Sequence, residues 1–148
     1  MMVKRLSLVD VTHAAARIVH GIVVEVRSDR DETGLPATWI TFAVVRTLKG
    51  PPADRLTIKQ LGVAAPLADG TITRIAGLPQ YRVGEEVVVF LHGVSPRGFT
   101  SPVGFGQGAY RVGRGARGVY VRSDAGPGAG RNLEDFLAEV TRQSRGAP

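Results

Sequence analysis

Apolar and polar positions follow a helical period up to about residue 18, a strand period after it, and a helical period again from about residue 132. Ser7 followed by Asp10, with an apolar stripe behind them, predicts an N-capped helix of about ten residues. From Ile18 the stretch IVHGIVVEV places apolar side chains and His20 on one face, which is typical of a β-strand. A helix and then a strand therefore open the fold.

Two further strand patterns predict a three-stranded meander. The polar loop SDRDETGLP separates the first strand from TWITFAVVRTLKG, a run rich in β-branched and aromatic residues. KGPPAD ends that run, and RLTIKQL resumes the alternation with Leu56 and Ile58 inward. Residues 62–80 are weakly patterned, and we expect a long loop there that contains a short strand at Thr71 to Ile75.

The second half of the chain predicts more short strands and a closing helix. VVVFL is apolar on both faces, as a central or sharply curved strand is. GFTSPVGFGQGAYRV and GVYVRS add further strands, and NLEDFLAEVTRQ has one apolar helical stripe behind Asn132 as N-cap. We expect this helix over about residues 132–143.

These elements predict a mainly β fold in one domain that spans residues 1–148. Five strands, or up to seven short ones, joined mostly as hairpins and bent at glycines favour a closed OB-type barrel over about residues 18–122. The short N-terminal helix and the C-terminal helix flank it. A chain of 15.7 kDa buries roughly two thirds of its unfolded surface, so the core requires no disulfide or structural metal for stability.

Residues 113–118 read GRGARG, which matches the G-x-G-x-x-G pattern of dinucleotide-binding loops. In those loops the last glycine opens a helix, whose free N–H groups hold the pyrophosphate. Here the motif leads into Val119, Tyr120 and Val121, which favour a strand. We therefore interpret GRGARG as the tip of a β-hairpin, where glycine permits a positive φ.

Other candidate chemistry is sparse, and we expect no cofactor and no metal. The chain has no cysteine, which excludes disulfides, thiolate metal sites and a cysteine nucleophile. His13, His20 and His92 lack metal-ligand spacing, and His20 is interpreted as a satisfied core residue. No G-x-S-x-G nucleophile elbow occurs. These observations favour a protein that is not an enzyme.

Two groups of carboxylates are candidate sites. Glu85 and Glu86 are adjacent at the start of a strand, so they point to opposite faces and cannot act together as acid and base. They are predicted to close the turn before the strand. Asp29, Asp31 and Glu32 lack the spacing of a calcium loop and are interpreted as a solvated loop.

Positive charge is concentrated in one third of the chain. The net charge is +6, and residues 97–131 contain six arginines against one acid, Asp124, which gives +5. The segment is interpreted either as a solvated basic face or as a contact for a polyanion, for single-stranded nucleic acid or for an acidic partner. The candidate contact residues are Arg97, Arg111, Arg114, Arg117 and Arg122, together with the aromatic Trp39, Tyr110 and Tyr120.

No window approaches the ~20 apolar residues that a membrane span requires. The first residues, MMVKRLSLVDVTHAAARI, lack the continuous apolar core of a secretory signal. We therefore expect no membrane span and no export signal, with the cytoplasm as the default compartment.

The order of segments resembles a set of small uncharacterised bacterial domains, many of them exported, and in wider outline the netrin-like domain of the tissue inhibitors of metalloproteinases. The resemblance covers about residues 6–121. Its marks are LKG at Leu48 to Gly50, GEE at Gly84 to Glu86, and GQG at Gly106 to Gly108. It implies a five-stranded OB-type barrel with a helix at each end of the chain.

The function that this resemblance implies is that of a non-enzymatic binding module. The animal inhibitors place an N-terminal cysteine on the protease zinc, and this chain has no cysteine, so inhibition by that mechanism is not expected. A protein is the expected partner. The alternative is binding of a polyanion or single-stranded nucleic acid through residues 97–131.

Overall fold

The protein is described here by a computed structural model that covers residues 5–63, 65–124 and 130–146. Its elements are α1 (Leu8–Ala14), β1 (Arg17–Arg30), β2 (Pro36–Lys49), β3 (Arg55–Leu61), β4 (Glu86–Leu91), a 3₁₀ turn (Phe105–Gly108), β5 (Ala109–Gly115), β6 (Gly118–Ser123), β7 (Arg131–Asn132) and α2 (Leu133–Gly146). Within these residues the strands form one antiparallel sheet in the order β3-β2-β1-β4-β5-β6-β7. The mainly β prediction is confirmed. Over the same residues β3 and β7 are the edges of the sheet, which is open.

The predicted meander is present, with longer strands than expected. β1 and β2 have 14 residues each and pair from Ile18 opposite Lys49 to Arg30 opposite Pro36. Three shifts of register interrupt this ladder, and such bulges bend a strand and increase its twist. Gly21 lies at one of them, where a Cβ would come within 2.9 Å of the Ala43 carbonyl oxygen. The hairpin therefore bends where a side chain would not fit.

Two apolar clusters lie on opposite faces of the sheet, and β4 contributes to both. Val88 and Phe90 belong to the helix-side cluster, which is formed with residues of α1, α2 and β6. Val87, Val89 and Leu91 belong to the opposite cluster, whose other members are Val19, Val23, Ile40, Phe42, Ile58 and Tyr81. The prediction that VVVFL is a strand buried on both faces is confirmed.

The two helices begin as predicted. Ser7 and Asp10 form a reciprocal capping box at α1, which has seven residues, fewer than expected, because Ala15 already has extended backbone. The Asn132 side chain accepts the backbone N–H of Asp135 at 3.0 Å and caps α2, which continues to Gly146 and is thus longer than expected. Neither helix in this part of the chain is long and apolar enough to cross a membrane.

The expected short strand at Thr71 to Ile75 is wrong. These residues have irregular backbone and make only isolated hydrogen bonds, such as Val63 N–H to the Thr73 carbonyl at 2.7 Å. Alternation over five residues is too short to define a strand when no neighbouring strand is available to pair with it. Residues 99–108 likewise hold a bridge and a 3₁₀ turn, and the regular strand begins only at Ala109.

GRGARG forms the tip of the β5–β6 hairpin, as predicted. Gly115 pairs with Gly118, which leaves Ala116 and Arg117 as the two turn residues. Gly118 has φ +118°, a value that side-chain-bearing residues rarely adopt. The strand that follows confirms that no helix N-terminus is present at this motif.

Candidate functional site

Trp39 is the middle member of a row of three side chains that crosses β1, β2 and β3. Its ladder partners are Arg27 on β1 and Lys59 on β3, and residues directly opposite each other share a face. The row thus lies on the face away from Ile40 and Phe42. The Arg27 guanidinium is 4.3 Å and the Lys59 ammonium 5.7 Å from the indole centroid, both within cation–π range.

A buried ion pair holds Lys59 in this row. Its Nζ donates to Oδ2 of Asp31 at 2.8 Å, and Asp31 is only 8 % exposed. Oδ1 of Asp31 accepts the backbone N–H groups of Thr33 and Leu35 and the Thr33 hydroxyl. The Lys59 ammonium and the Thr33 hydroxyl hold the pKa of Asp31 well below its ordinary value. The interpretation of Asp31 as part of a solvated loop is wrong, because this carboxylate organises the loop from inside.

The segment between β4 and the 3₁₀ turn folds over the same lysine. Lys59 Nζ donates to the Arg97 carbonyl at 3.1 Å and lies 4.4 Å from the centroid of the Phe99 ring. The segment doubles back through the hydrogen bond from Ser95 N–H to the Phe99 carbonyl, with Gly98 at φ +87°. We name the resulting patch the Trp39 surface, defined as Arg27, Trp39, Lys59, Arg97 and Phe99.

Arg111 is engaged in a structural clamp. Its guanidinium donates to both carboxylate oxygens of Asp124 at 2.8 and 2.9 Å and to the Gln80 carbonyl at 2.7 Å. Glu85 lies 3.2 Å away, and the Tyr81 ring centroid 5.0 Å away. Arg111 thus ties β5 to the loop before β4 and to the end of β6.

Arg114 forms an ion pair on the face of the sheet opposite to Arg111. It donates to Oε1 of Glu86 at 2.6 Å, while Oε2 of Glu86 lies 2.7 Å from Nε2 of His20. Burial raises the pKa of Glu86, but the hydrogen bonds from His20 and Arg114 lower it by more, so it lies below its ordinary value. His20 is 6 % exposed and has a partner, as predicted. Glu85 and Glu86 point to opposite faces, which also agrees with the prediction.

Ion pairing reduces the local charge of the basic segment. Arg131 pairs with Glu139, as Arg111 and Arg114 do with Glu85 and Glu86. Once these three carboxylates are counted, the local charge of residues 97–131 falls from +5 to +2. Among the described residues, the arginines of this segment without an ion pair are Arg97, Arg117 and Arg122.

The two candidate tyrosines have different environments. The Tyr110 ring packs against Phe136, with centroids 4.6 Å apart, and against Phe90 at 5.6 Å. The Tyr120 side chain lies on the face of the sheet opposite to Tyr110 and is 39 % exposed. Its ring covers Gly113 and Gly130, and a Cβ at either glycine would come within 2.7 Å of the ring. Tyr110 is therefore a core residue, and Tyr120 a surface one.

The structure brings two of the eight candidate residues together. Trp39 and the backbone carbonyl of Arg97 both lie next to Lys59, whereas the other six, Arg111, Arg114, Arg117, Arg122, Tyr110 and Tyr120, belong to the β5–β6 hairpin. β2 and β5 are three strand positions apart, about 14 Å at the usual strand spacing. The candidates thus form two separate groups on the sheet.

Sequence reasoning assigned Arg27, Lys59 and Phe99 to no site, and it interpreted Asp31 as part of a solvated loop. The alternation in RLTIKQL already places Lys59 outward, but pairing the first hairpin symmetrically about its loop at residues 28–36 would have set Arg27 opposite Ala37 and not opposite Trp39. No local signal marks Asp31 or Phe99, because their contacts with Lys59 join residues that are distant along the chain.

A groove of about 840 Å³ lies beside the turn Gly104–Gln107, between Leu6 and Pro79. Phe105 in this turn has φ +55°, rare for a residue with a side chain. The turn is tied to the N-terminal segment by the Leu6 N–H, which donates to Oε1 of Gln107 at 2.6 Å. Arg5 and Asp124, of opposite charge, both line the groove, so it favours no particular ligand charge.

Across residues 5–63, 65–124 and 130–146, no group of three or more His, Cys, Asp or Glu side chains is placed to hold a metal ion. Compared with known proteins, the chain matches no family model and no curated protein sequence.

Proposed function

We propose that this chain is a non-enzymatic binding module whose partner is another protein, bound at the Trp39 surface. The observation that carries the proposal is the row Arg27, Trp39 and Lys59, in which a half-buried indole lies between an exposed guanidinium and a buried ammonium. Tryptophan and arginine dominate the energetics of protein interfaces. Because Asp31 fixes Lys59, part of the row is ordered before binding, which reduces the entropy cost of association.

The charge of this surface favours an acidic partner. Arg27 and Arg97 are both exposed, and neither forms an ion pair within the described part of the chain. The charge of Lys59 is already balanced by Asp31. Two cations therefore remain to attract carboxylates, while Trp39 supplies apolar area for the centre of the contact.

The non-enzymatic part of the proposal is supported by the state of the carboxylates. Asp31 is bonded to Lys59, Glu85 to Arg111, and Glu86 to His20 and Arg114. Each of these three carboxylates connects two elements of the fold through its ion pair, and the three lie on different parts of the sheet. This arrangement serves structure, whereas acid–base catalysis needs a group within reach of a substrate.

We also propose that the fold is an OB-type barrel related to the netrin-like domain. β1 occupies the position between β2 and β4 and pairs with both, and the opposite cluster joins Ile58 on the edge strand β3 with Val87 on β4. The Thr100 N–H donates to the Lys59 carbonyl at 3.0 Å. The chain after β4 thus reaches the free edge of β3, as a curled sheet requires.

Affinity capture with the full chain, followed by calorimetry on the captured partner, tests the proposal. We expect Trp39→Ala and Arg27→Ala each to weaken binding at least about tenfold, since hot-spot truncations cost about 2 kcal/mol. Arg117→Ala, on the distant hairpin, is the matched control and should bind like wild type. Failure to capture any partner, or unchanged affinity in Trp39→Ala and Arg27→Ala, would contradict the proposal.

A second candidate function is the binding of a polyanion or single-stranded nucleic acid through residues 97–131. The observation in its favour is that Arg117 and Arg122 carry no ion pair in the described residues, while Tyr120 beside Arg122 is 39 % exposed. Exposed aromatics beside cations are the usual platform for unpaired bases.

Fluorescence anisotropy with mixed-sequence oligonucleotides at low and moderate salt tests this candidate. Replacing both Arg117 and Arg122 by alanine should weaken binding and reduce the slope of log affinity against log salt by about 0.7 for each lost phosphate contact. Arg46→Ala is the control, because this exposed arginine on β2 lies outside residues 97–131. Binding that is absent at low salt, or identical in the double variant, rejects the candidate.

A further inference from the structure

A pocket of about 390 Å³ opens where the start of β1, the edge strand β3 and the segment after β4 meet. Its wall includes Leu56, Ile58 and Leu91, and the last two are buried members of the opposite cluster. The pocket therefore continues the opposite cluster outward at the edge strand β3, where Thr57 of the other face also lines it. Its volume lies within the range of about 300–1,000 Å³ that small-molecule sites occupy.

Arg17 stands at the rim of this pocket. In the β1–β4 ladder Arg17 pairs with Leu91, and Val19 pairs with Val89. The Arg17 side chain therefore lies on the same face of the sheet as Val19, Val89 and Leu91, which are members of the opposite cluster. It is half-buried, and it forms no ion pair in the part of the chain that the structure describes. A guanidinium at the edge of an apolar cluster without a carboxylate partner is a natural anion receptor.

The other polar groups of the wall agree with a negatively charged ligand. The described lining contains no Asp and no Glu, and its second ionisable side chain is His92, which is exposed. The Thr100 hydroxyl donates a hydrogen bond to the His92 carbonyl at 2.7 Å. The Thr57 hydroxyl is hydrogen-bonded to the Thr41 hydroxyl at 2.8 Å. Arg17 is thus the charged group left to meet a ligand.

We propose that this pocket binds a small monocarboxylic acid with an apolar body. The body would cover the half-buried Leu56 and the small exposed parts of Ile58 and Leu91, and the carboxylate would accept paired hydrogen bonds from Arg17. Arg17, Leu56, Ile58 and Leu91 are not members of the Trp39 surface, so this proposal does not depend on the proposed protein partner. Gly98 and Thr100 line this pocket while Arg97 and Phe99 belong to the Trp39 surface, so the two sites adjoin along the segment after β4.

Octanoate is the probe, followed by NMR of the methyl groups of the full chain. We expect saturable shifts of the Leu56, Ile58 and Leu91 methyls up to a few millimolar octanoate. Acetate, which lacks the apolar body, and 1-octanol, which lacks the charge, should each bind at least about tenfold more weakly. Absence of saturable shifts with octanoate, or equal binding of 1-octanol, overturns the proposal.

The variants assign the carboxylate to Arg17. Arg17→Gln should weaken octanoate binding at least about tenfold, and Arg17→Lys, which keeps the charge, should restore part of it. Arg27→Gln, on the opposite face, is the matched control and should bind octanoate like wild type. Unchanged octanoate affinity in a folded Arg17→Gln protein also overturns the proposal. If that variant does not fold, the presence or absence of saturable methyl shifts in wild type tests the proposal.

Discussion

Replacing Gly108 by alanine tests how tightly the 3₁₀ turn packs against β4. A Cβ at this position would lie 2.5 Å from the carbonyl oxygen and 2.8 Å from the nitrogen of Val103, and 3.1 Å from the carbonyl oxygen of Phe90. All three are backbone atoms. The Val103 N–H donates to the Phe90 carbonyl at 2.8 Å, so making room for the methyl group breaks the bond that holds the turn to β4.

The expected magnitude combines three effects. Overpacking of a fixed site costs about 2 kcal/mol, and loss of one hydrogen bond about 1 kcal/mol. Alanine lowers the entropy of the unfolded chain relative to glycine, which offsets about 0.7 kcal/mol. The net loss in the free energy of unfolding is about 2 kcal/mol, equivalent to a fall in Tm of about 4–8 °C for a domain of this size.

Thermal and urea unfolding followed by circular dichroism measure this loss. Gly93→Ala is the matched control, because its Cβ would meet only the Ala16 Cβ, at 3.9 Å. We expect Gly93→Ala to melt at or slightly above the wild-type temperature. If Gly108→Ala melts together with Gly93→Ala, the close approach of the turn to β4 is wrong and the reasoning fails.

Two further predictions concern the ion pair and the helix-side cluster. The pKa of Asp31 is lower in the folded than in the unfolded chain, so its interaction with Lys59 stabilises the fold above the unfolded pKa near 4, and this stabilisation is lost as the pH falls below that value. In Asp31→Asn the urea midpoint should therefore fall less steeply between about pH 6 and about pH 2 than in wild type. An unchanged dependence of the midpoint on pH would refute this. Phe136→Ala, at a fully buried ring beside Phe90 and Tyr110, should lower the free energy of unfolding by about 4 kcal/mol in the same assay, and a loss below about 1 kcal/mol would show that α2 does not pack there.

Features encoded within a few consecutive residues could be predicted from the sequence. Ser7 and Asp10 form their capping box within four consecutive residues, and Asn132 caps α2 through the backbone N–H three positions later. GRGARG turns at a point where Gly118 permits a positive φ, and VVVFL is too apolar to expose either face. Each of these depends on local backbone chemistry.

Features that depend on strand register could not be predicted. Lys59 meets Asp31 across 28 positions of sequence, and Glu86 meets His20 across 66. Counting charges along residues 97–131 likewise overestimated their effect, because three of the compensating carboxylates, Glu85, Glu86 and Glu139, lie outside the segment and reach it only through the fold. A linear segment does not contain its own counter-ions.

The position of β4 has a consequence for how the protein unfolds. Its side chains alternate between the helix-side cluster and the opposite cluster, so neither cluster can open without exposing β4 to water on that side. The two clusters are thereby coupled into one cooperative unit through a strand of six residues. The amides of Val88, Val89 and Phe90 would be the last in the sheet to exchange with solvent, and their exchange would report the global unfolding equilibrium.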